Sequence, residues 1–307
     1  VPALRRRPGG LSSTPLSAVA AGGDIVERRF QLLALDVRIR TNCPVLDRQL
    51  DYLVQDARQD YPVSATLGIE AIIEDGRYRI SGAGESGQLA YDARLVVSCL
   101  FRVCYQKAYA ALPQSGALIH AACAGYGGRR FLLIGDSGAG KTTLVIRLAR
   151  EGAEVEVDEL ALVLPDGVVG LPRRFHIKEE GLATLPWVAA QAAKMPRWEN
   201  GDGSAVYGFA PSEWGHPWHI RHGPLDAVFF LEPNHGGQSR LVEVPRYEMI
   251  RLAVDRLRVL DKGQRGWIAE ICRQFDAAAC YKLVVGGLDS TVALLLNKAQ
   301  VLPVANG

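Results

Sequence analysis

The sequence predicts an α/β fold with a small α+β module at its amino-terminal end, and three observations carry that prediction. First, the apolar run Phe131-Leu-Leu-Ile134 leads into Gly135-Asp-Ser-Gly-Ala-Gly-Lys-Thr142, and Thr143 to Glu151 then carries Leu144 and Leu148 at helical spacing. A buried strand, a glycine-rich loop and a helix in that order form one folding unit. Second, Ala227-Val-Phe-Phe-Leu231 and Tyr281 to Val285 are short apolar runs of the kind buried in a sheet, and Tyr247 to Leu257 between them reads as a helix. Third, Leu67 to Glu74 and Arg77 to Ser81 flank Asp75-Gly76, the residue pair best suited to a tight hairpin turn.

The other elements follow in order. Phe30 to Arg40, FQLLALDVRIR, reads as one strand ending at Asn42-Cys43-Pro44, because proline restricts the residue before it and breaks regular pairing. Asp47 to Arg58, entered through Leu46, carries Leu50, Leu53 and Val54 on one helical face. Asp92 to Ala111 places Leu95, Val96, Cys99, Leu100, Val103 and Tyr105 as a buried helix would, and Pro113-Gln-Ser-Gly116 stops it. These assignments divide the chain into a loose tail over residues 1–23, a small α+β module over 24–113 and a phosphate-loop domain over 114–307.

Composition narrows the function. With 48% apolar and 22% charged residues the chain is that of a folded protein, and a net charge of +2 gives no general attraction to nucleic acid or to an anionic membrane. Six cysteines stand without CxxC pairing, which fits reduced structural thiols in a cytoplasmic protein. The longest apolar pieces, such as Ala227 to Leu231 and Val292 to Leu296, fall far short of the ~20 residues of a membrane-spanning helix. Neither nucleic acid nor a membrane is therefore expected as a partner, while a homo-oligomer is compatible with the sequence.

The loop Gly135, Asp136, Ser137, Gly138, Ala139, Gly140, Lys141, Thr142, together with Thr143, has the composition of a nucleotide site. Its glycines let backbone N–H groups approach phosphates, and the following helix adds positive potential at its amino terminus. Lys141 reaches the β- and γ-phosphates of ATP in such a loop, and the Thr142 hydroxyl ligates the Mg²⁺ that bridges them. Such a site also needs a carboxylate beside the metal, and the next strand-like stretch, Val155-Glu-Val-Asp158-Glu159, supplies two, with Asp158 as the second metal ligand. His120, in Leu118-Ile-His-Ala-Ala-Cys, falls one strand earlier; alone it reads more readily as a core histidine than as a catalytic one.

Histidine, strand, a GxSGxGK loop, helix, Gly152 and an acidic pair in this order resemble the HPr kinase/phosphorylase family. The likeness runs from His120 to Val163 without a gap. It implies that His120 is the active-site histidine, Lys141 the phosphate lysine and Thr142 the metal-binding hydroxyl. By the same likeness Glu159 is the proton acceptor for the substrate hydroxyl, with Asp158 supporting it, or the two exchange roles. Thr143 stands where the bifunctional enzymes have glutamate after GKS, and the pair is Asp-Glu instead of Asp-Asp, which argues against phosphorylase activity. Further on, Arg173 to Gly181 loosely matches the family's substrate loop, with Lys178 as a phosphate contact and Glu179 or Glu180 as a weaker metal-binding carry-over. The amino-terminal part is closer to the HPr-kinase-related proteins, among them the lasso-peptide kinases.

The stretch from Trp187 to Trp218 is rich in Pro, Gly and Trp. It reads equally as a lid carrying Arg197, Trp198 and Trp214 or as an irregular structural wrap. His216, His219 and His222 have a spacing that suggests metal, yet Pro217 and Pro224 oppose a regular helix, so a solvated basic loop around Arg221 is expected. The sequence therefore reads as an ATP- and Mg²⁺-dependent kinase acting on a Ser or Thr of a peptide or protein. A kinase for a small-molecule alcohol, and a non-catalytic module in which ATP orders a peptide-binding surface, are its alternatives.

Overall fold

In the computed structural model, the residues described are 23–82, 84–90, 93–112, 116–195, 197–199, 205–257 and 266–302. The expected tail, apart from Gly23, and the expected boundary at Pro113 lie outside them. The fold is mixed α/β, with several mixed sheets.

A five-stranded sheet forms the amino-terminal part, in the order Val26–Leu32, Leu35–Thr41, Ala65–Glu74, Arg77–Gly82, Glu85–Ala90. The single strand expected over Phe30 to Arg40 is in fact two, folded back at Leu33-Ala34 so that Leu32 pairs with Leu35. Leu33 takes a positive φ of 53°, which its sequence does not advertise. The turn holds because side chains satisfy its backbone: Leu33 N–H donates to Gln59 Oε1 at 2.9 Å, and Gln31 Nε2 donates to Leu33 O at 3.0 Å. The expected hairpin at Asp75-Gly76 is present, both residues having positive φ (49° and 74°) as a type I′ turn requires.

The helix expected over Asp47 to Arg58 is shorter. It runs Pro44–Gln49, tightens to a 3₁₀ turn at Leu50–Tyr52 and stops. Arg58–Gln59 instead pairs in parallel with His219–Ile220, which fastens the amino-terminal sheet to the rest of the protein. The expected helix after the hairpin is found at Ala93–Ala110 and packs over the first sheet.

The second sheet has nine strands. Its path is His222–Gly223, Gly167–Gly170, Leu160–Leu164, Ala117–Tyr126, Arg129–Ile134, Ala227–Pro233, Ala279–Val285, Arg240–Glu243, with Glu154–Val157 also paired to Ala117–Tyr126. Arg129–Ile134, Ala227–Pro233 and Ala279–Val285 are parallel neighbours. They are buried along most of their length, which explains why each reads as an unbroken apolar run. Helices Lys141–Arg150, Arg246–Val254, Trp267–Asp276 and Leu288–Val301 cover this sheet.

Part of the Trp-rich stretch is regular: Arg197–Glu199 and Ala205–Phe209 join Phe175–Lys178 in a three-stranded sheet. Trp187 meets Trp214 edge to face at 4.7 Å, and Trp214 stacks on Phe209 at 4.0 Å. The side chain of Trp198 lies outside the described residues. One continuous apolar core runs from Phe30 through the second sheet to Leu302, so the two expected modules share their interior.

Candidate active site

The positions of the expected site residues follow from strand register. Ile134 pairs with Ala121, so the chain leaves the sheet at Gly135 level with His120. On the other side of His120 lies Leu160, and Ala121 N–H donates to Glu159 O at 2.8 Å. Glu154–Val157 and Leu160–Leu164 run along the same edge of Ala117–Tyr126, and Asp158-Glu159 is the bend between them. The sheet therefore sets the loop, His120 and the acidic pair side by side.

Within the loop, Gly138 and Gly140 have φ of 83° and 92°, a conformation that favours glycine, and the helix begins at Lys141. Lys141 is 5% exposed, and its ammonium donates to Gly135 O at 2.7 Å and Asp136 O at 2.9 Å. The Thr142 hydroxyl donates to Asp158 Oδ2 at 3.0 Å, and the backbone N–H of His176 donates to the same oxygen at 3.1 Å. Asp158 is 1% exposed, and its other oxygen, Oδ1, has no hydrogen-bond partner. Burial pushes its carboxyl above the usual carboxylate range, Arg173 pulls it back, and Glu159 adds to the upward push. Asp136 is held the opposite way: its hydrogen bonds from Arg256, at 3.1 and 2.9 Å, keep it below the usual range.

All of Ser137, Gly138, Gly140, Lys141, Thr142, Thr143, His120, Asp158 and Glu159 border one cleft of about 930 Å³. Gly135, Asp136 and Ala139 do not border it, Gly135 and Ala139 being buried and Asp136 exposed. Lys178 and Glu180 also border the cleft, but Glu179 does not.

Several lining residues escaped the sequence reading as site residues. Arg173 reaches Glu159 in a close ion pair and comes within 3.5 Å of Asp158 Oδ1. His176 stacks on Tyr52 at 4.8 Å, and Tyr52 in turn meets Phe101 at 6.4 Å, so the 3₁₀ turn Leu50–Tyr52 and the helix Ala93–Ala110 supply one wall. Burial, helped by Arg173 and Arg174, holds His176 well below the usual histidine value, and burial pushes the Tyr52 hydroxyl up to about 12 against the pull of Arg173. Tyr52 and His176 are 124 residues apart, and no local pattern links them.

The histidine cluster is not the solvated basic loop expected. Arg221 Nε donates at 3.1 Å to Glu156, which is fully buried, His219 bonds Asp60 at 2.7 Å, and His222 is 16% exposed with its ring edge-on to Tyr61. Buried acceptors and the parallel pairing with Arg58–Gln59 draw this segment inward. Among the described residues no group of three or more His, Cys, Asp or Glu is placed to hold a metal by itself, and no helix is long and apolar enough to cross a membrane. No family model matches the chain, and no curated protein matches it either.

Proposed function

We propose that the chain is an ATP-dependent kinase of the HPr-kinase-related kind, transferring the γ-phosphoryl group of Mg-ATP to a Ser or Thr hydroxyl of a peptide or protein. The observation that carries this reading is the 3.0 Å contact between the Thr142 hydroxyl and Asp158 Oδ2, beside a glycine-rich loop that opens a helix. A phosphate-binding loop needs a hydroxyl and a carboxylate together at this place, and here they meet across the sheet.

The residues fit a magnesium ion. Thr142 Oγ1 and Asp158 would hold it, and Asp158 Oδ1, buried without a hydrogen-bond partner, has a free acceptor for that purpose. Mg²⁺ takes one or two protein groups and completes its shell with phosphate oxygens and water. When bound, the ion neutralises charge on the phosphates and orients them.

The chain's own groups then have separate tasks. Lys141, now on the carbonyls of Gly135 and Asp136, exchanges them for phosphate oxygens. Glu159, 35% exposed at the cleft, accepts the acceptor hydroxyl's proton as that oxygen bonds to the γ-phosphorus and the bond to the β-phosphate oxygen breaks, releasing ADP. His120 borders the same cleft, level with Gly135 on one side and paired with Leu160 on the other. Tyr52 and Phe101 give the cleft an aromatic wall.

The test is calorimetric titration with Mg-ATP, followed by mass spectrometry of Ser- and Thr-containing peptides. Native protein is expected to bind and to phosphorylate, Lys141→Ala to lose binding, and Glu159→Gln to bind without transfer. Native binding that is indifferent to Lys141→Ala and to removal of magnesium would overturn the reading.

A further inference from the structure

Arg173 borders the cleft beside the acidic pair, and the proposed chemistry leaves it without a task. It follows Pro172, whose carbonyl is held by the Tyr105 hydroxyl at 2.5 Å, so the helix Ala93–Ala110 fixes the backbone just ahead of it. Its side chain is 11% exposed and lies along the acidic pair, paired with Glu159 and 3.5 Å from Asp158 Oδ1. A guanidinium has five N–H donors, and here the buried Nε has no hydrogen-bond partner. The group is charged, enclosed and only partly satisfied.

This arrangement does not persist through the proposed reaction. A divalent cation at Thr142 and Asp158 repels a guanidinium beside Asp158 Oδ1, and Glu159 accepts a proton only when its oxygen is released from the ion pair. The only anion that then grows in the cleft is the phosphoryl group in transit, whose oxygens accept planar, forked donors well. Of the other cations lining the cleft, Lys141 is already assigned to the bound nucleotide's phosphates and Lys178 is exposed.

Resting on the kinase reading, we propose that Arg173 is a catalytic residue, a built-in arginine that moves from Glu159 onto the transferring phosphoryl group and stabilises its charge in the transition state. Before that move the same side chain offsets part of the charge of Asp158 and Glu159. Binding of Mg-ATP exchanges one ion pair for another and frees the base at the moment it is needed.

The experiment uses the whole chain and needs no acceptor. ADP affinity with Mg²⁺ is measured by equilibrium dialysis with and without aluminium fluoride, a mimic of the transferring phosphoryl group. Fluoride is expected to tighten native ADP binding by about tenfold or more. Arg173→Lys and Arg173→Ala should bind ADP within about threefold of native yet gain less than about twofold from fluoride. Glu159→Gln, which alters the base but not the arginine, should keep the gain. Plain ADP binding reports folding of each variant. A full gain in both arginine variants, or no gain in a native protein that binds Mg-ADP, overturns the proposal for Arg173 alone. Native protein that does not bind Mg-ADP, or binds it as well with Lys141→Ala, overturns the underlying kinase reading.

Discussion

Replacing Arg130 by methionine tests how the strand entering the glycine-rich loop is tied to the strand entering the acidic pair. Arg130 and Glu156 are 6% and 0% exposed, and they meet through two bonds, Nε to Oε1 at 2.8 Å and Nη2 to Oε2 at 2.9 Å. The same guanidinium donates to the carbonyls of Val168 at 2.9 Å, Gly223 at 2.8 Å and Arg221 at 2.9 Å. Methionine fills similar space but leaves Glu156 buried with only Arg221 to balance it. Breaking a buried pair from one side costs about 3–5 kcal/mol, chiefly the cost of the charge left behind. At about 2 °C per kcal/mol for a domain of this size, the midpoint should fall by about 6–10 °C. Thermal unfolding at neutral pH measures the shift, and urea unfolding the free energy. If the cause is the stranded charge, Arg130→Met with Glu156→Leu should regain most of the loss, because an apolar pair has no charge to desolvate. A single-variant loss below about 1 kcal/mol, or a double variant less stable than Arg130→Met, would refute this reasoning.

Gly170→Ala should cost about 1–3 kcal/mol, since an added Cβ would meet Val157 side-chain carbons at 2.7 and 2.8 Å one residue before Asp158; Val157→Ala in the same chain should restore part of it in urea melts. His176 titrates far below its ordinary 6.5 when folded, so the unfolded chain binds the extra proton first and stability is lost as pH falls below 6.5. Native stability minus that of His176→Gln should therefore decline between pH 6.5 and 5, with a slope of up to about 1.4 kcal/mol per pH unit; a flat difference would count against burial of the neutral ring. Thr142→Val removes the hydroxyl 3.0 Å from Asp158, and should weaken nucleotide binding in magnesium while leaving magnesium-free binding nearly unchanged, read by calorimetry with and without EDTA.

What the sequence made legible was local. The run Phe131 to Ile134, the spacing of the glycines up to Gly140 and the Leu144, Leu148 stripe each encode their own geometry, and the strand, loop and helix stand where they were expected. Asp75-Gly76 encodes its turn in two residues. The Leu33-Ala34 turn was hidden because its support comes from Gln59, 26 residues away, and leucine is a poor sign for a positive φ. Likewise the helix after Pro44 was expected too long, since Arg58–Gln59 is claimed by a strand pairing with His219–Ile220 that no local periodicity reveals.

The site divides along the same line. His120, the loop and Asp158-Glu159 converge because consecutive strands of one sheet carry them, which their order along the chain already implies. Tyr52, Phe101 and His176 reach the cleft from three separate elements, the turn Leu50–Tyr52, the helix Ala93–Ala110 and the strand Phe175–Lys178, which only tertiary packing brings together. Arg173 was visible as one of two adjacent arginines, but its charge partners are set by the fold: burial works against its charge, and Asp158 and Glu159 hold it above the ordinary arginine value.

The central claim is that one cleft binds Mg-ATP through Lys141 and Thr142 and delivers its phosphoryl group through Glu159. The most direct measurement is mass spectrometry of a Ser- and Thr-containing peptide library after incubation with Mg-ATP and native protein, Lys141→Ala or Glu159→Gln, with nucleotide binding measured on the same three samples. Phosphorylated Ser or Thr is expected with native protein alone, and nucleotide binding is expected to be retained in Glu159→Gln but lost in Lys141→Ala. Phosphorylation that persists in both variants, or a native protein that does not bind Mg-ATP, would contradict the claim.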